Sequence, residues 1–451
     1  MGHCHWSVRL ALIERAQFLT GVTMAPETNS SQQTAPSWRE MWHSFGKIGL
    51  LSFGGPAAQI ALMHSELVDR RAWLTEQQFL RGLSFCMVLP GPEAMQLATY
   101  AGWRLRGIAG GVLAGSLFVL PGACVIAALV WLYLVLGRVP AVQAGFLGIK
   151  AAVVVIVLQA LWRISRKALK GPLSLLLAGL GFVALFAFGL PFPAVVLAAG
   201  CLGALNAQTD HAPSPAPTQT QHNWRVVLLW SALWLVPLIS LSALGLEPLA
   251  TIGWFFAKLA VVTFGGAYAV LAYMTQTVVS THGWLTTGEM IDALGLAETT
   301  PGPLVLVTQF VAMLAGAKVG GAGMAIAAGV VALWATFIPC FLWIFAAAPY
   351  VERLTEHPRL RAALEAITAA VAGVMLNLTI WFLLHLLFAS QIRVGFGPIT
   401  LPVPEWTSLD PRALVLTLLA PVITYLTRGR ILWLLAIMAG LGLIADAFAL
   451  G

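Results

Sequence analysis

The chain carries an internal repeat at one constant spacing. Short motifs in the first half recur 211 residues later in the second half (264 − 53 for the first pair). The matched sets are Lys47 with Lys258, the first and second FGG motifs (Phe53-Gly54-Gly55 and Phe264-Gly265-Gly266), Trp73-Leu74-Thr75 with Trp284-Leu285-Thr286, and the first and second PGP motifs (Pro90-Gly91-Pro92 and Pro301-Gly302-Pro303). Several motifs that recur at the same spacing indicate a fused duplication. A repeat of half a long apolar chain is typical of transporters, whose substrate site lies where the halves meet.

The composition restricts the fold class. Hydrophobic residues make up 59% of the chain and charged residues only 10%, whereas globular domains carry roughly a quarter charged residues. Apolar segments of about 20 residues recur, enough to cross a hydrocarbon core of about 30 Å as helices. A transmembrane barrel would instead show alternating segments of about ten residues. We therefore predict an all-α polytopic membrane protein in the lipid bilayer, whose net charge of +7 is loop basicity and not a sign of nucleic-acid binding.

The repeat and the composition of the segments between apolar runs suggest four regions. These are a polar tail over residues 1–37, expected to be disordered, a first repeat over 38–206, a flexible linker rich in Gln, Thr, Pro and Ser over 207–224, and a second repeat over 225–451. The tail does not resemble a secretory signal. We hypothesise that Met24 is the true start of translation.

Loop charges suggest that the two repeats face opposite sides of the membrane. Arginines flank the first PGP motif on both sides, whereas the matched positions of the second repeat carry none. At the far end of the unit the second repeat is the more basic one. Because basic loops stay cytoplasmic, we predict an inverted repeat. The residues compared are Arg70, Arg71, Arg81, Arg104 and Arg106 with Thr281, His282, Asp292, Ala315 and Ala317, and Arg138 with Arg353, Arg359 and Arg361.

Arginines on both sides of the first PGP motif also predict that the chain turns back there. Proline removes a backbone donor and glycine admits unusual dihedrals, so the motif is suited to join two half-helices in a re-entrant hairpin. A kinked ordinary helix is the alternative. Downstream of the motifs the repeat continues with an offset of 218 (339 − 121), which matches Pro121 with Pro339 and Ala151-Ala152-Val153 with Ala369-Ala370-Val371.

Lys47 and Lys258 lie within apolar stretches, where a charge is costly unless it faces a cavity or a partner. In an inverted pair they would approach the midplane from opposite sides and receive a small dianion; snorkelling to the interface is the alternative. The FGG motifs permit an unwound turn whose N–H groups and helix dipole form an anion cradle, or else close helix packing. The predicted substrate-binding residues are Lys47, Lys258, Ser52, Gly54, Gly55, Thr263, Gly265, Gly266, Pro90, Gly91, Pro92, Gln96, Pro301, Gly302 and Pro303.

Each repeat also places a carboxylate beside its PGP motif. Glu93 follows Pro92 directly, and Glu298 lies three residues before Pro301. Such groups can relay protons and couple transport to a proton gradient. Negative charge is equally favourable in the first turn of a half-helix, so a capping role stays open for Glu93.

The combined motifs, together with Ala101-Gly102 and Gly107, resemble those of the chromate ion transporter family over nearly the whole chain from residue 38. The resemblance implies fused homologous halves that export chromate from the bacterial cytoplasm across the inner membrane and give chromate resistance. Some members of the family handle sulfate or other anions. The second repeat departs from the first by having Ala267 in place of Pro56 and Leu304 in place of Glu93.

We expect a secondary transporter that binds chromate, with sulfate as a mimic. A sulfate or other oxyanion permease and a passive anion channel are the alternatives. The sequence lacks HExxH, GxSxG and GxxxxGK[ST] patterns, and its cysteines form no CxxC pair. We therefore expect no enzymatic activity, no cofactor and no metal site. A monomer and a homo-oligomer are both open.

Overall fold

The computed structural model describes residues 35–137, 139–207, 224–264, 267–351, 357–396 and 399–449. From Pro36 onward the chain forms one compact unit. Most of the predicted tail and linker, residues 1–34 and 208–223, lies outside the described residues. The helices of the first half are α1 Trp38–Leu51, α2 Gly55–His64 continued by a π-turn Ser65–Arg70, α3 Glu76–Cys86, α4 Glu93–Leu136, α5 Pro140–Ala168, α6 Pro172–Phe186 and α7 Phe192–Leu205.

The second half repeats this order after one additional helix. Its elements are α8 Trp224–Ala243, α9 Glu247–Val262, α10 Ala267–Gln276 continued by a π-turn Thr277–Thr281, α11 Thr287–Glu298, a 3-10 turn Leu304–Leu306, α12 Val307–Ala347, a 3-10 turn Ala348–Tyr350, α13 Pro358–Leu387, strands β1 Gln391–Phe396 and β2 Ile399–Pro404, a 3-10 turn Trp406–Ser408, α14 Pro411–Leu426 and α15 Ile431–Ala449. Helices α4, α5, α8, α12, α13 and α15 are long and apolar enough to cross a membrane. The prediction of an all-α polytopic membrane protein is confirmed.

The predicted breaks at the motifs are present. The chain reverses its direction at the first PGP motif. The evidence is that α3 and α4 touch: a Cβ on Gly82 of α3 would lie 2.4 Å from the ring of Tyr100 of α4. The rings of Phe85 and Tyr100 are also close, with centroids 5.8 Å apart. Since these pairs lie on either side of the motif, α3 and the start of α4 form a helical hairpin and not one kinked helix.

The first FGG motif also lies at the tip of a hairpin, and the helices before and after the second FGG motif pack together in the same way. In the first repeat, Lys47 of α1 contacts Glu66 beyond the tip at 2.9 Å. In the second repeat, Phe255 of α9 contacts Tyr273 of α10, with ring centroids 6.0 Å apart. In the first half, two hairpins therefore carry the first FGG and PGP motifs at their tips. In the second half, α9 and α10 pair in the same way, and Glu289 of α11 contacts Lys318 of α12 across the second PGP motif.

A tight turn divides α4 and α12 at corresponding places. Arg106 and Gly107 have φ values of −145° and 62°, and Gly320 and Gly321 have −147° and 68°. The positive φ of the second residue favours glycine. The short arm of α4 before this turn packs on the long arm after it, and a Cβ on Gly102 would lie 2.2 Å from the carbonyl oxygen of Gly110. The agreement of these dihedrals supports the duplication at the level of the backbone.

The two repeats exchange their last helices. In the first repeat α6 and α7 pack on α13 of the second, while α14 and α15 pack on α5 of the first. Glycines make these approaches possible: a Cβ on Gly148 of α5 would lie 1.8 Å from the carbonyl oxygen of Met438, and one on Gly373 of α13 would lie 1.9 Å from that of Ala178. The central helix of each repeat is thus covered by the other repeat.

A small antiparallel hairpin between α13 and α14 was not part of the sequence prediction. Strand β1 pairs with β2 from Gln391 opposite Pro404 to Phe396 opposite Ile399. Its signal is the alternation of Ile392, Val394 and Phe396, which is typical of a strand with one covered face.

The exchange of helices gives a test of the fold. We expect Gly148→Val to destabilise the protein in detergent, because its Cβ would overlap the backbone of α15, and overpacking typically costs about 1–3 kcal/mol or more. The matched control is Gly179→Val on α6, where a Cβ meets nothing within 4 Å. Thermal unfolding followed by size-exclusion chromatography measures both variants. Equal melting temperatures for the two would contradict the packing.

Candidate functional site

The four hairpin tips meet in reciprocal pairs. The N–H of Gly302 in the second PGP motif donates to the carbonyl oxygen of Ser52, which precedes the first FGG motif, at 2.9 Å. The N–H of Gly91 in the first PGP motif donates to the carbonyl oxygen of Thr263, which precedes the second FGG motif, at 2.8 Å. Donors and acceptors are both related by the offset of 211 residues (302 − 91 and 263 − 52). We call this junction of residues 52–56, 90–93, 263–264 and 301–304 the crossing.

The long arms beside the crossing follow the same reciprocal pattern. Gly122, after Pro121, approaches the second PGP motif so closely that a Cβ would lie 2.1 Å from the carbonyl oxygen of Pro301. Cys340, after Pro339, has its Sγ 3.0 Å from the position of a Cβ on Gly91. Each PGP tip is therefore held by the other repeat on two sides.

Gln59 adds a side-chain bond to one half of the crossing. Its Nε2 donates to the carbonyl oxygen of Gly302 at 2.6 Å and to that of Ser52 at 3.2 Å. The matched position in the second repeat is Val270, so the crossing is symmetric in its backbone but not in its side chains. Sequence reasoning missed Gln59, although it is a polar residue in an apolar helix beside a predicted break.

Glycines at the crossing adopt conformations that other residues rarely reach. The φ values are 89° at Gly54, 79° at Gly55, 125° at Gly91 and 91° at Gly302. A side chain at these positions would be strained, which explains why glycine recurs in both motifs. Gly265 and Gly266, which were also predicted to bind substrate, lie outside the described residues.

Helices that begin at the crossing do so without a side-chain cap. Helix α2, helix α4 and the turn 304–306 start after Gly54, Pro92 and Pro303, and no side chain bonds to their first N–H groups. By contrast, α1, α3 and α11 begin with capping boxes formed by Ser37 and Glu40, Thr75 and Gln78, and Thr286 and Glu289. Uncapped helix starts present N–H donors and the positive end of the helix dipole, which together can hold an anion.

The predicted hydroxyl donors are engaged within their own helices. Ser52 Oγ donates to the carbonyl oxygen of Ile48 at 2.5 Å, and Thr263 Oγ1 donates to that of Leu259 at 2.6 Å. Each hydroxyl has one proton, so in this conformation only its lone pairs remain. Donation to a substrate requires rotation of the side chain, and the predicted role stays a prediction.

Lys47 forms part of an ion-pair network in its own repeat. Its Nζ lies 2.9 Å from Glu66 Oε2, and Arg70 and Arg71 contact the same carboxylate at 3.3 and 3.2 Å. Burial raises the pKa of Glu66, but the hydrogen bonds from Lys47, Arg71 and Arg70 outweigh it and hold the pKa at about 2. We call this set the Glu66 network. It leaves three cations around one carboxylate.

Lys258 has different surroundings, because neutral residues replace the Glu66 network. Thr277, Thr281 and His282 stand at the positions matched to Glu66, Arg70 and Arg71. Within the described ranges no carboxylate pairs with Lys258. Burial, followed by the charge of Lys258, lowers the pKa of His282.

The surroundings of Lys47 and Lys258 share one feature, a side chain that packs on a tryptophan ring. The guanidinium of Arg71 lies over the ring of Trp73, 4.9 Å from its centroid, and the ring of His282 stacks on Trp284 at 4.4 Å. In the described part of the chain, no hydrogen bond or ion pair joins either predicted lysine to the crossing. The joint binding of one anion by Lys47 and Lys258 stays a prediction.

The remaining predicted polar residues lie close to the PGP motifs. Gln96 Nε2 donates to the carbonyl oxygen of Pro90 at 2.7 Å, while its Oε1 is buried without a partner. Glu93 is half-buried at the first position of α4 and has no hydrogen-bond or ion-pair partner among the residues described. Glu298 is buried, 8% exposed, at the end of α11.

Sequence reasoning missed a second buried ionic cluster. Tyr133 of α4 donates its hydroxyl to Asp292 of α11 at 2.9 Å, and Lys150 of α5 lies 3.2 Å from the same carboxylate. The available signal was Lys150, a charge inside a 29-residue apolar helix.

Comparisons with known proteins agree on one family. The model of the Chromate transporter family matches residues 39–204 and 250–443. The chain is 32% identical to a chromate transport protein of Pseudomonas aeruginosa over 356 residues, which cover 77% of this chain and 82% of the relative. It is 31% identical to a chromate transport protein of Cupriavidus metallidurans over 366 residues, with coverage of 77% and 84%. A probable chromate transport protein of Synechococcus elongatus is 33% identical over 341 residues, with coverage of 75% and 83%. No solved structure matches.

The Glu66 network predicts a pH-dependent stability. The pKa of Glu66 falls from 4.5 to about 2 on folding, so the ionised carboxylate stabilises the fold above about pH 4.5 and this contribution is lost as the pH falls towards 2. We expect Glu66→Gln to lower the melting temperature at neutral pH and the difference from the unsubstituted protein to shrink between pH 4.5 and 2. Glu365→Gln, which removes an exposed pair with Arg361, serves as the control. A difference that does not change with pH would contradict the network.

Proposed function

The chain belongs to the Chromate transporter family, and from this membership we propose that it is a secondary transporter that exports chromate across the bacterial inner membrane and thereby gives chromate resistance. Membrane-length helices and relatives named chromate transport proteins support a multi-pass transport protein. The single observation that carries the mechanism is the crossing. There, helix starts without side-chain caps come together with the helix breaks of both repeats, because each PGP motif bonds to the residue before the FGG motif of the other repeat.

At the crossing, chromate is held by backbone groups. The first N–H groups of α2, of α4 and of the turn 304–306 supply donors, and the dipoles of α2 and α4 add partial positive charge. Apart from the carboxyl of Glu93 at the start of α4, such a site contains no ionisable side chain, so it binds a dianion without trapping it. Sulfate has the same charge and tetrahedral shape as chromate, which makes it a competitor at the same donors.

The order of helices supports opposite orientations of the two repeats. In the first half the two hairpins are followed by the long arm of α4, by α5 and by the pair α6 and α7. These four helical segments bring the chain back to the face from which the long arm of α4 started. Helix α8 then crosses once more, so the second set of hairpins starts from the other face of the membrane. The basic loops of the first repeat then lie in the cytoplasm.

The charges near Lys47 and near Lys258, which lie on opposite faces in the proposed arrangement, differ in a way that suits export. The Glu66 network has three cations and one anion, and its excess positive charge attracts chromate from the cytoplasm. On the opposite face, Lys258 and His282 receive the anion after the crossing has rearranged. An interior-negative potential assists, by roughly 2.3 kcal/mol per charge per 100 mV and about twice that for a dianion that moves alone.

The packing of the tips favours alternating access over a passive channel. Residues 301–306 are all buried, and both PGP tips contact the long arm of the other repeat. A continuous pore would require the tips to separate, whereas rocking of one repeat against the other changes which side of the crossing is open. Glu93 and Glu298 stay candidates for proton relay beside the tips.

Everted membrane vesicles test the proposed function, because export from the cell becomes uptake into the vesicle. We expect saturable uptake of radiolabelled chromate that exceeds that of vesicles without the protein and that excess sulfate inhibits. Lys47→Ala is expected to raise the chromate concentration at half-maximal uptake, since it removes one of the three cations from the face at which chromate enters. Uptake equal to that of empty vesicles would refute transport, and uptake only into right-side-out vesicles would reverse the proposed direction.

The crossing predicts a selective loss of transport in Gly91→Ala. Its Cβ would lie 2.7 Å from Gln96 Nε2 and 3.0 Å from Cys340 Sγ, at a φ of 125°. We expect the transport rate to fall about tenfold or more, since an increase of about 1.4 kcal/mol in the activation free energy lowers a rate tenfold. Gly189→Ala is the control, because Gly189 also has a positive φ but no atoms near its Cβ position. Equal rates for the two variants, at equal membrane abundance, would contradict a role of the crossing.

A further inference from the structure

The cluster of Tyr133, Lys150 and Asp292 contains an ion pair that joins the membrane-length helix α5 to α11. The side chains of Asp292 and Lys150 are 8% and 21% exposed, and their charged atoms lie 3.2 Å apart. Tyr133 donates its hydroxyl to the other carboxylate oxygen at 2.9 Å. Burial of such a pair costs free energy that its own attraction only partly offsets, so a buried pair is weak evidence for a purely stabilising role.

The duplicated scaffold does not require this cluster. The first repeat has Arg81 at the position matched to Asp292 (292 − 211), and the second repeat has Val351 and Thr368 at those matched to Tyr133 and Lys150. The ion pair therefore belongs to one end of the molecule only. A feature that departs from the repeat, and is costly to bury, is explained by function better than by folding.

The cluster joins the first repeat to a moving part of the proposed mechanism. Lys150 and Tyr133 lie on α5 and α4, whereas Asp292 lies on α11, the entry helix of the hairpin that carries the second PGP motif. The tip of that hairpin forms half of the crossing. Breaking or making the ion pair consequently changes how firmly this hairpin is held against the first repeat.

The two oxygens of the Asp292 carboxylate have different partners. Its Oδ1 faces the ammonium of Lys150 at 3.2 Å, and its Oδ2 accepts the hydroxyl of Tyr133. A proton added to Oδ1 makes the side chain neutral and leaves the charge of Lys150 without a counterion. The net charge of the cluster then changes from zero to +1.

We propose that Asp292 is a proton-binding residue that couples anion transport to the pH gradient. When ionised, Asp292 pairs with Lys150 and holds the second PGP hairpin against the first repeat. When protonated, it releases the hairpin, so that a proton enters during the return of the empty carrier, whereas chromate leaves while Asp292 is ionised. This inference rests on the proposed function, since it requires that an oxyanion be transported.

The other carboxylate close to Asp292 has a partner of its own. Glu289, one turn earlier on α11, contacts Lys318 of α12 at 2.6 Å. The turn 304–306 is apolar, and none of the described charged or titratable side chains of α13 forms a hydrogen bond or ion pair with Asp292; these are Arg359, Arg361, Glu365 and His385. Lys150 and Tyr133 are therefore the groups that respond to a proton on Asp292.

Proteoliposomes that contain the full chain test this inference with radiolabelled chromate. We expect a pH gradient of one unit to drive accumulation in the unsubstituted protein by up to about tenfold for each coupled proton, since one pH unit corresponds to about 1.4 kcal/mol. The double variant Asp292→Asn/Lys150→Gln removes both charges together. We expect it to keep downhill flux within about threefold of the unsubstituted protein and to lose accumulation driven by the pH gradient.

Two variants make the result decisive. Glu289→Gln/Lys318→Gln neutralises the neighbouring pair and is expected to keep full pH-driven accumulation. Asp292→Glu retains a proton-binding group and is expected to keep pH-driven accumulation even if the double variant proves inactive. The inference is wrong if the double variant accumulates chromate as the unsubstituted protein does, or if Asp292→Glu transports downhill without any response to the gradient.

The same assay separates this inference from the proposed function. An unsubstituted protein that transports chromate downhill but ignores the pH gradient would overturn the role of Asp292 and leave the proposed function intact. An unsubstituted protein that transports no chromate in either mode would overturn both.

Discussion

Two backbone hydrogen bonds, from Gly91 to Thr263 and from Gly302 to Ser52, are the interaction on which the rest of this structure depends. A helix that breaks inside a membrane leaves N–H and C=O groups that lipid cannot satisfy. Here each repeat supplies the missing partner for the break in the other. The exchange of α6 and α7 for α14 and α15 around the central helices extends the same dependence to the periphery. In this chain, neither repeat satisfies its own breaks by itself.

The symmetric frame carries asymmetric charges. The turns at Gly107 and Gly321, the π-turns after α2 and α10, and the crossing itself recur with nearly the same geometry. In contrast, Glu66 is replaced by Thr277, and Arg81 is replaced by Asp292. A symmetric frame provides two equivalent states for a rocking motion, and only the charges can make one face differ from the other. We therefore attribute direction and coupling in the proposed mechanism to the residues that break the repeat.

An anion site made of backbone groups suits a transporter better than one made of ammonium groups. A fully charged buried pocket would bind a dianion tightly and release it slowly, whereas uncapped helix starts offer several weak partial charges. The two lysines that the sequence singled out precede the FGG motifs and act on residues that follow them: Lys47 pairs with Glu66, and burial together with the charge of Lys258 lowers the pKa of His282. In the proposed mechanism they attract the anion at either face, and the crossing passes it on.

Much of the fold could be predicted from the sequence, because its causes are local. Apolar length predicts membrane helices, glycine and proline predict the breaks, and a constant spacing reveals the duplication. The β1–β2 hairpin was missed because its short alternation was overlooked. The ion pair of Lys47 with Glu66, the bond of Gln59 to Gly302 and the bond of Tyr133 to Asp292 join residues 19, 243 and 159 positions apart, and no local pattern specifies such pairs. The sequence by itself determined where the chain breaks and that it does so twice. Only the tertiary structure decided that each break is satisfied by the other repeat, because a hydrogen bond across the crossing depends on how the helices pack and not on which residues are adjacent.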